Sequence, residues 1–137
     1  KAAGITPVYS FYPWARCEKT VETGEAFAAF PYAVTAERKA LFNYSDPLFH
    51  SSNKVYYYTK NPKPLKDVKF EKISDLKGYT IGLIAGSFIA DELDKHGVKY
   101  ETTTTLDLSI KKLQMGRVDF VIDEQAVTYD TIKKNVS

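Results

Sequence analysis

One cysteine, one tryptophan, one methionine and two histidines are all that 137 residues contain of the types that most often carry chemistry. Cys17 has no partner for an internal disulfide, and a single thiol fits either redox compartment. His50 and His96 lie far apart without ligand-spaced neighbours, so no metal site is expected. His96, next to Gly97, reads as a helix C-terminal residue that interacts with the dipole. Ser87 lacks the Gly-x-Ser-x-Gly frame of a nucleophile elbow, and Gly82–Gly86 does not match a phosphate loop. No catalytic residue, metal or cofactor is therefore assigned, and the chain is expected not to be an enzyme. No apolar run approaches the roughly 18 residues of a membrane span. No signal-peptide pattern opens the sequence either. A formal charge of +2 is too small to argue for nucleic acid. Lys60, Lys63, Lys66, Lys69 and Lys72 are interleaved with Pro, Asp and Glu, as on a solvated surface.

What is present is a soluble globular composition, 44% hydrophobic and 26% charged, at a length typical of one domain. Lys1-Ala2-Ala3-Gly4 looks like the last turn of a helix with its closing glycine. Strands are expected at Ile5–Tyr12, Ala26–Phe30, Lys54–Thr59, Thr80–Ile84, Val98–Thr102 and Val118–Ile122, from β-branched and aromatic content. Helices are expected at Trp14–Thr23, Thr35–Leu41, Ser87–His96, Leu106–Met115 and Ala126–Lys134. Gly24, Gly97 and Gly116 close three of them. The alternation implies an α/β chain with a parallel, βαβ-type sheet. The helix–Gly24–Ala26–Phe30 unit echoes helix–Gly116–Val118–Ile122, as two similar units on either side of a break. That break, Asn61-Pro62-Lys63-Pro64, is stiff and is the best lobe boundary. It gives a first part over 1–59, carrying a hinge strand, and a second over 60–137.

The most informative stretch is Pro31–Arg38. Thr35 can cap the turn that follows, and Arg38 lies one turn on, at what reads as a strand exit. The planar Arg fork suits a carboxylate held by two parallel hydrogen bonds. A capped surface turn with a solvated Arg is the plainer alternative. Trp14 offers an apolar wall and a cation–π face, or simply core packing. Gly86-Ser87 joins a strand to a helix. There Gly permits close backbone approach, and Ser can serve as an N-cap. In open α/β sheets ligands sit at the C-terminal strand ends, where all these residues fall.

Seven motifs in order resemble bacterial solute-binding protein family 3, the amino-acid ABC-transporter type with the type 2 periplasmic-binding fold. They are Pro13-Trp14-Ala15-Arg16, Gly24-Glu25-Ala26, Thr35-Ala36-Glu37-Arg38, Ser45-Asp46-Pro47-Leu48, Ser74-Asp75-Leu76-Lys77-Gly78, Gly86-Ser87 and Gly116-Arg117-Val118-Asp119. The resemblance covers nearly the whole chain and corresponds to the middle of such a protein, with an incomplete lobe 1 and a nearly complete lobe 2. It implies two lobes closing by hinge motion on a small ligand, most naturally an amino acid. A membrane ABC permease would be the partner and the periplasm the location, the signal peptide having been removed. The same module fused to a membrane kinase or cyclase as a sensor is the alternative.

By that resemblance Arg38 grips the ligand carboxylate, supported by Thr35, and Trp14 walls the ligand side chain. Gly86 and Ser87 contribute from lobe 2. An acidic residue after Gly116 pairs with the ligand ammonium. Glu124 matches that place, Asp123 precedes it, and strand alternation lets only one of them face the cleft. Ala33 stands where relatives carry a Ser, and Phe88 where they carry a Thr, which makes the expected shell less polar. Phe27 replaces a usual Asp at a position read as structural. An open lobe 1 sheet edge would invite pairing with a second copy.

Overall fold

The computed structural model describes residues 4–63, 67 and 69–135. The helix end expected at Lys1–Ala3 lies outside them, as does Pro64 of the Pro-rich break. The elements in chain order are α1 (Trp14–Glu22), α2 (Ala36–Leu41), β1 (Asn53–Tyr56), a 3-10 turn (Ile73–Leu76), β2 (Thr80–Ile84), α3 (Ile89–Lys95), β3 (Lys99–Thr103), α4 (Leu106–Gln114), β4 (Phe120–Glu124) and α5 (Gln125–Asn135).

One four-stranded sheet organises the chain, in the order β1-β4-β2-β3. Strands β2, β3 and β4 run parallel, with Ile81 opposite both Tyr100 and Phe120. Strand β1 is antiparallel to β4, pairing Asn53 with Glu124 and Tyr56 with Val121. The parallel sheet read from the alternation is thus correct for three strands, with one antiparallel edge added. The Pro-rich segment lies between two strands of this sheet, because β1 precedes it and β2 follows it.

Period-2 alternation sorts the core onto two faces. Ile81, Leu83, Phe120 and Ile122 pack with Ile89 and Leu93 of α3 on one side. On the other side Val121 packs with Val118 and with Leu106, Ile110 and Leu113, the i, i+4, i+7 stripe of α4. Gly82 lies beneath that second layer. A Cβ there would stand 3.1 Å from a Val121 methyl and 3.2 Å from a Val118 methyl, so glycine lets the layer close down. Phe120 meets Tyr79 and Phe70 in edge-to-face pairs, with centroids 5.2 and 6.0 Å apart. Burying a side chain of this kind stabilises the fold by about 1.5–3 kcal/mol. Two hydroxyls inside the sheet layers satisfy each other: Thr103 and Ser109 share a 2.6 Å contact beside the Leu83 carbonyl. Asp119, buried, takes the Thr80 N–H at 2.9 Å and the Lys63 ammonium at 2.5 Å.

The segment before β1 corrects two expectations. Among the described residues, neither Ile5–Tyr12 nor Ala26–Phe30 forms a strand, and Val8, Phe11 and Phe27 are fully exposed. Phe27 therefore does not have the packing role expected of it. The physical reason is that a strand exists only as half of a ladder. β-rich composition supplies propensity, and among the described residues no segment supplies the partner. α1 and α2 form as read, with Thr35 Oγ1 accepting from the Arg38 N–H at 3.2 Å to cap α2.

Candidate functional site

The helix start at Trp14, the cap at Thr35 and the turn after β2 converge on one side chain, Arg38. Its guanidinium lies over the Tyr32 ring, 4.9 Å from the centroid, and its side chain is 14% exposed. Nη2 donates to the Gly86 carbonyl at 3.4 Å. The same nitrogen stands 2.5 Å from Glu18 Oε1. Tyr32 meets Trp14 edge to face at 5.1 Å, and its hydroxyl donates to the Trp14 carbonyl at 2.7 Å. Burial, with the neighbouring Cys17 and Glu18 groups adding to it, holds the Tyr32 phenol well above its usual value. Tyr32 is therefore a neutral aromatic floor at any physiological pH.

Gly86 is where this cluster meets the sheet. Its φ is +83°, in the left-handed region, and a Cβ would lie 3.2 Å from Trp14 Cβ and 3.3 Å from the Ala15 nitrogen. The start of α1 thus seats directly on the turn that leaves β2. A Lys95–Glu37 approach of 3.8 Å lies between α3 and α2. Ser87 begins the next turn, its Oγ accepting from the Ile89 N–H at 3.4 Å.

Four of the residues expected to bind ligand, Arg38, Thr35, Trp14 and Gly86, are brought together, with Ser87 adjacent to Gly86. Asp123 and Glu124 end β4, the strand next to β2, at the same C-terminal edge of the sheet. They serve a different local structure. The Glu124 carboxylate accepts from the Val127 N–H at 2.9 Å and caps α5, while Asp123 accepts from the Glu124 N–H at 2.6 Å. Burial raises the Asp123 carboxyl above its usual range; that N–H opposes the rise, and the Glu124 charge adds to it. Glu124 lines an open groove of about 410 Å³ with His50, Ser51, Ser52, Gln125 and Tyr129.

Sequence reasoning did not single out Glu18 or the Tyr32 ring. Glu18 follows Trp14 by four residues on α1, so the two share a helix face, and that spacing was the available signal. Arg16 lies over the Tyr12 ring, 4.4 Å from its centroid. Among the described residues, no acid–histidine–cysteine group has metal-site geometry, and no helix is long and apolar enough to cross a membrane.

No family model matches the chain. Over 90% of it, the chain superposes with a TM-score of 0.71 on the arginine-, lysine-, histidine-binding protein ArtJ from Geobacillus stearothermophilus, at 26% identity and over 52% of that protein. An ancestral arginine-binding protein bound to glutamine matches at 30% identity and TM-score 0.59, over 74% of this chain and 44% of that one. The chain has the type 2 periplasmic-binding fold of the family 3 solute-binding proteins. By sequence it is 29% identical over 106 residues to a probable amino-acid-binding protein, YxeM, of Bacillus subtilis, covering 74% of this chain and 38% of that protein. It is 35% identical over 131 residues to membrane-bound lytic murein transglycosylase F of Aeromonas salmonicida, covering 90% of this chain. The chain spans only 24% of that relative, so the fold is here matched within a much longer protein.

Proposed function

We propose that this chain contributes the ligand-binding surface for a small carboxylate-bearing solute, most naturally an amino acid. The observation that carries this is the Arg38 guanidinium. It is held on an aromatic floor at the C-terminal edge of a parallel sheet, with the Gly86 turn against it. An Arg side chain this enclosed, whose fork meets the Glu18 carboxylate and the Gly86 carbonyl above the Tyr32 ring, suits exchange with a ligand carboxylate. Thr35 sets its position by capping α2. Trp14 and Tyr32 supply the wall for the ligand's side chain. Gly86 and Ser87 close from the sheet side, and Glu124 or Asp123 adds a carboxylate at the same edge. Names of proteins with the same fold, which include arginine-, lysine-, histidine- and glutamine-binding, support the same class of ligand.

In the proposed cycle the Arg38–Gly86 and Trp14–Gly86 contacts open, the solute enters onto Arg38 and Trp14, and the Gly86–Ser87 turn closes over it. Such closure is the hinge motion by which two-lobed binders retain their ligands. The cluster holds a cation, aromatics and a cap, with no activated nucleophile, so binding without chemistry is the proposal. Delivery to an ABC permease outside the cytoplasm is its natural extension. Pairing with a second copy through an exposed sheet edge belongs to the same proposal. A thermal-shift panel of amino acids and small carboxylates tests the binding. A ligand-dependent rise in Tm that disappears in Arg38→Ala supports it, and no rise with any of them overturns it.

The Aeromonas match favours a second reading, in which this module serves as a ligand-sensing part of a longer cell-wall protein. The same cleft would operate. The two readings separate on whether a ligand that raises Tm is handed to a permease in reconstituted transport or instead alters the activity of an attached domain.

A further inference from the structure

The Arg38 fork already has an anion beside it. Glu18 Oε1 is buried against Nη2 at 2.5 Å, yet without the alignment of a hydrogen bond. The carboxylate comes from α1, one turn beyond Trp14, and its side chain is 34% exposed, so one side opens to solvent. The other groups at hand are spoken for: the Tyr32 hydroxyl is bonded to the Trp14 carbonyl, and Ala33 has no polar side chain while its carbonyl accepts from the Tyr44 hydroxyl at 3.3 Å. Asp123 and Glu124 are engaged by backbone N–H groups at the end of β4.

We propose that Glu18 is the specificity-determining partner of Arg38, taking the ligand's ammonium while Arg38 takes its carboxylate. This rests on the carboxylate-binding role of Arg38 given above. An Arg alone on an aromatic floor accepts any small anion. A guanidinium and a carboxylate side by side present opposite charges at contact distance. An α-amino acid carries its own carboxylate and ammonium one carbon apart and can therefore meet both. Inserting such a zwitterion replaces one ion pair by two charge-assisted ones. A simple carboxylate must instead displace Glu18 or lie against its charge. The pair thus selects zwitterions over plain acids and dianions, from lobe 1 alone and before any closure.

The test compares three matched probe pairs by titration calorimetry: L-alanine with propionate, L-glutamate with glutarate, and L-arginine with guanidinovalerate. Each pair differs only in the α-ammonium. The unsubstituted protein is expected to prefer the amino acid of at least one pair. Glu18→Gln should weaken that amino acid by roughly 10- to 100-fold, strengthen its des-amino partner, and so collapse the preference. Glu18→Asp, which keeps the charge, should retain part of it and serves if Glu18→Gln does not fold. An unchanged preference in Glu18→Gln, or tighter binding of both members alike, overturns the proposal and shows Glu18 to be at most a competing counter-ion. Arg38→Ala separates the two levels of the argument. If it binds every probe as well as the unsubstituted protein does, or if that protein binds none, the carboxylate reading fails and this inference falls with it. If Arg38→Ala loses binding while Glu18→Gln keeps the preference, only the inference fails.

Discussion

Replacing Gly86 by Ala should open the contact between α1 and the sheet. Two penalties arise together. At φ +83° an L-residue is strained by about 1–2 kcal/mol. The new Cβ would also press on Trp14 Cβ at 3.2 Å and on the Ala15 nitrogen at 3.3 Å, both parts of one helix start and unable to yield like a flexible side chain. The least costly relief is to move α1 away from the turn by a few tenths of an ångström. That movement weakens the 3.4 Å Arg38–Gly86 bond and wets the indole. Gly97→Ala provides the control. Its φ of +63° imposes similar backbone strain, while its Cβ would meet nothing within 4 Å. Gly97→Ala should lose about 1–2 kcal/mol in urea unfolding, and Gly86→Ala more than that, because the Cβ contacts add to the same strain. Trp14 is the only tryptophan, so its emission reports on the junction alone. A red shift is expected in folded Gly86→Ala and none in Gly97→Ala. Emission unchanged in Gly86→Ala, at a stability loss matching the control, would refute the claim that α1 seats on this turn.

Two further outcomes follow from the sheet. Asp119→Ala removes the acceptor of the buried Thr80 N–H and the partner of Lys63. Because Lys63 is largely exposed and can return to water, the expected loss is about 1–3 kcal/mol, read from denaturant midpoints. Asp123→Asn tests a charge that the fold disfavours. The carboxyl is raised in the folded state, so its destabilising effect is absent below the ordinary aspartate value. It grows as pH rises through the raised one and is full at neutrality. Asp123→Asn should therefore raise Tm at pH 7, and the gain should vanish near pH 3; a gain that is the same at both pH values contradicts the burial argument.

The second half of the chain was legible because its signals agree. β2 to α5 combine apolar strand runs, an i, i+4, i+7 stripe in α4 and closing glycines, and each element forms within about two residues of its expected bounds. Strand β1 was legible as a strand, while its place beside β4 was not, since pairing between Asn53–Tyr56 and Val121–Glu124, far along the chain, leaves no local trace. Ile5–Tyr12 and Ala26–Phe30 misled for a related reason: composition states what a segment would do beside a partner and is silent on whether a partner is there. At the site, Arg38 and Thr35 were legible from a cap and a spacing, and Gly86 from its position between a strand and a helix. Glu18 was not, because a lone Glu on an amphipathic helix looks like any solvated residue until Arg38 is folded onto it.

The central claim is that Arg38 anchors a ligand carboxylate. Its most direct test is calorimetric titration of the protein and of Arg38→Ala with each of the common amino acids. The account predicts saturable binding of at least one of them, weakened in Arg38→Ala by about 2–5 kcal/mol, the cost of removing one member of a desolvated charge pair. Equal affinity in the two proteins for every amino acid that binds would contradict it.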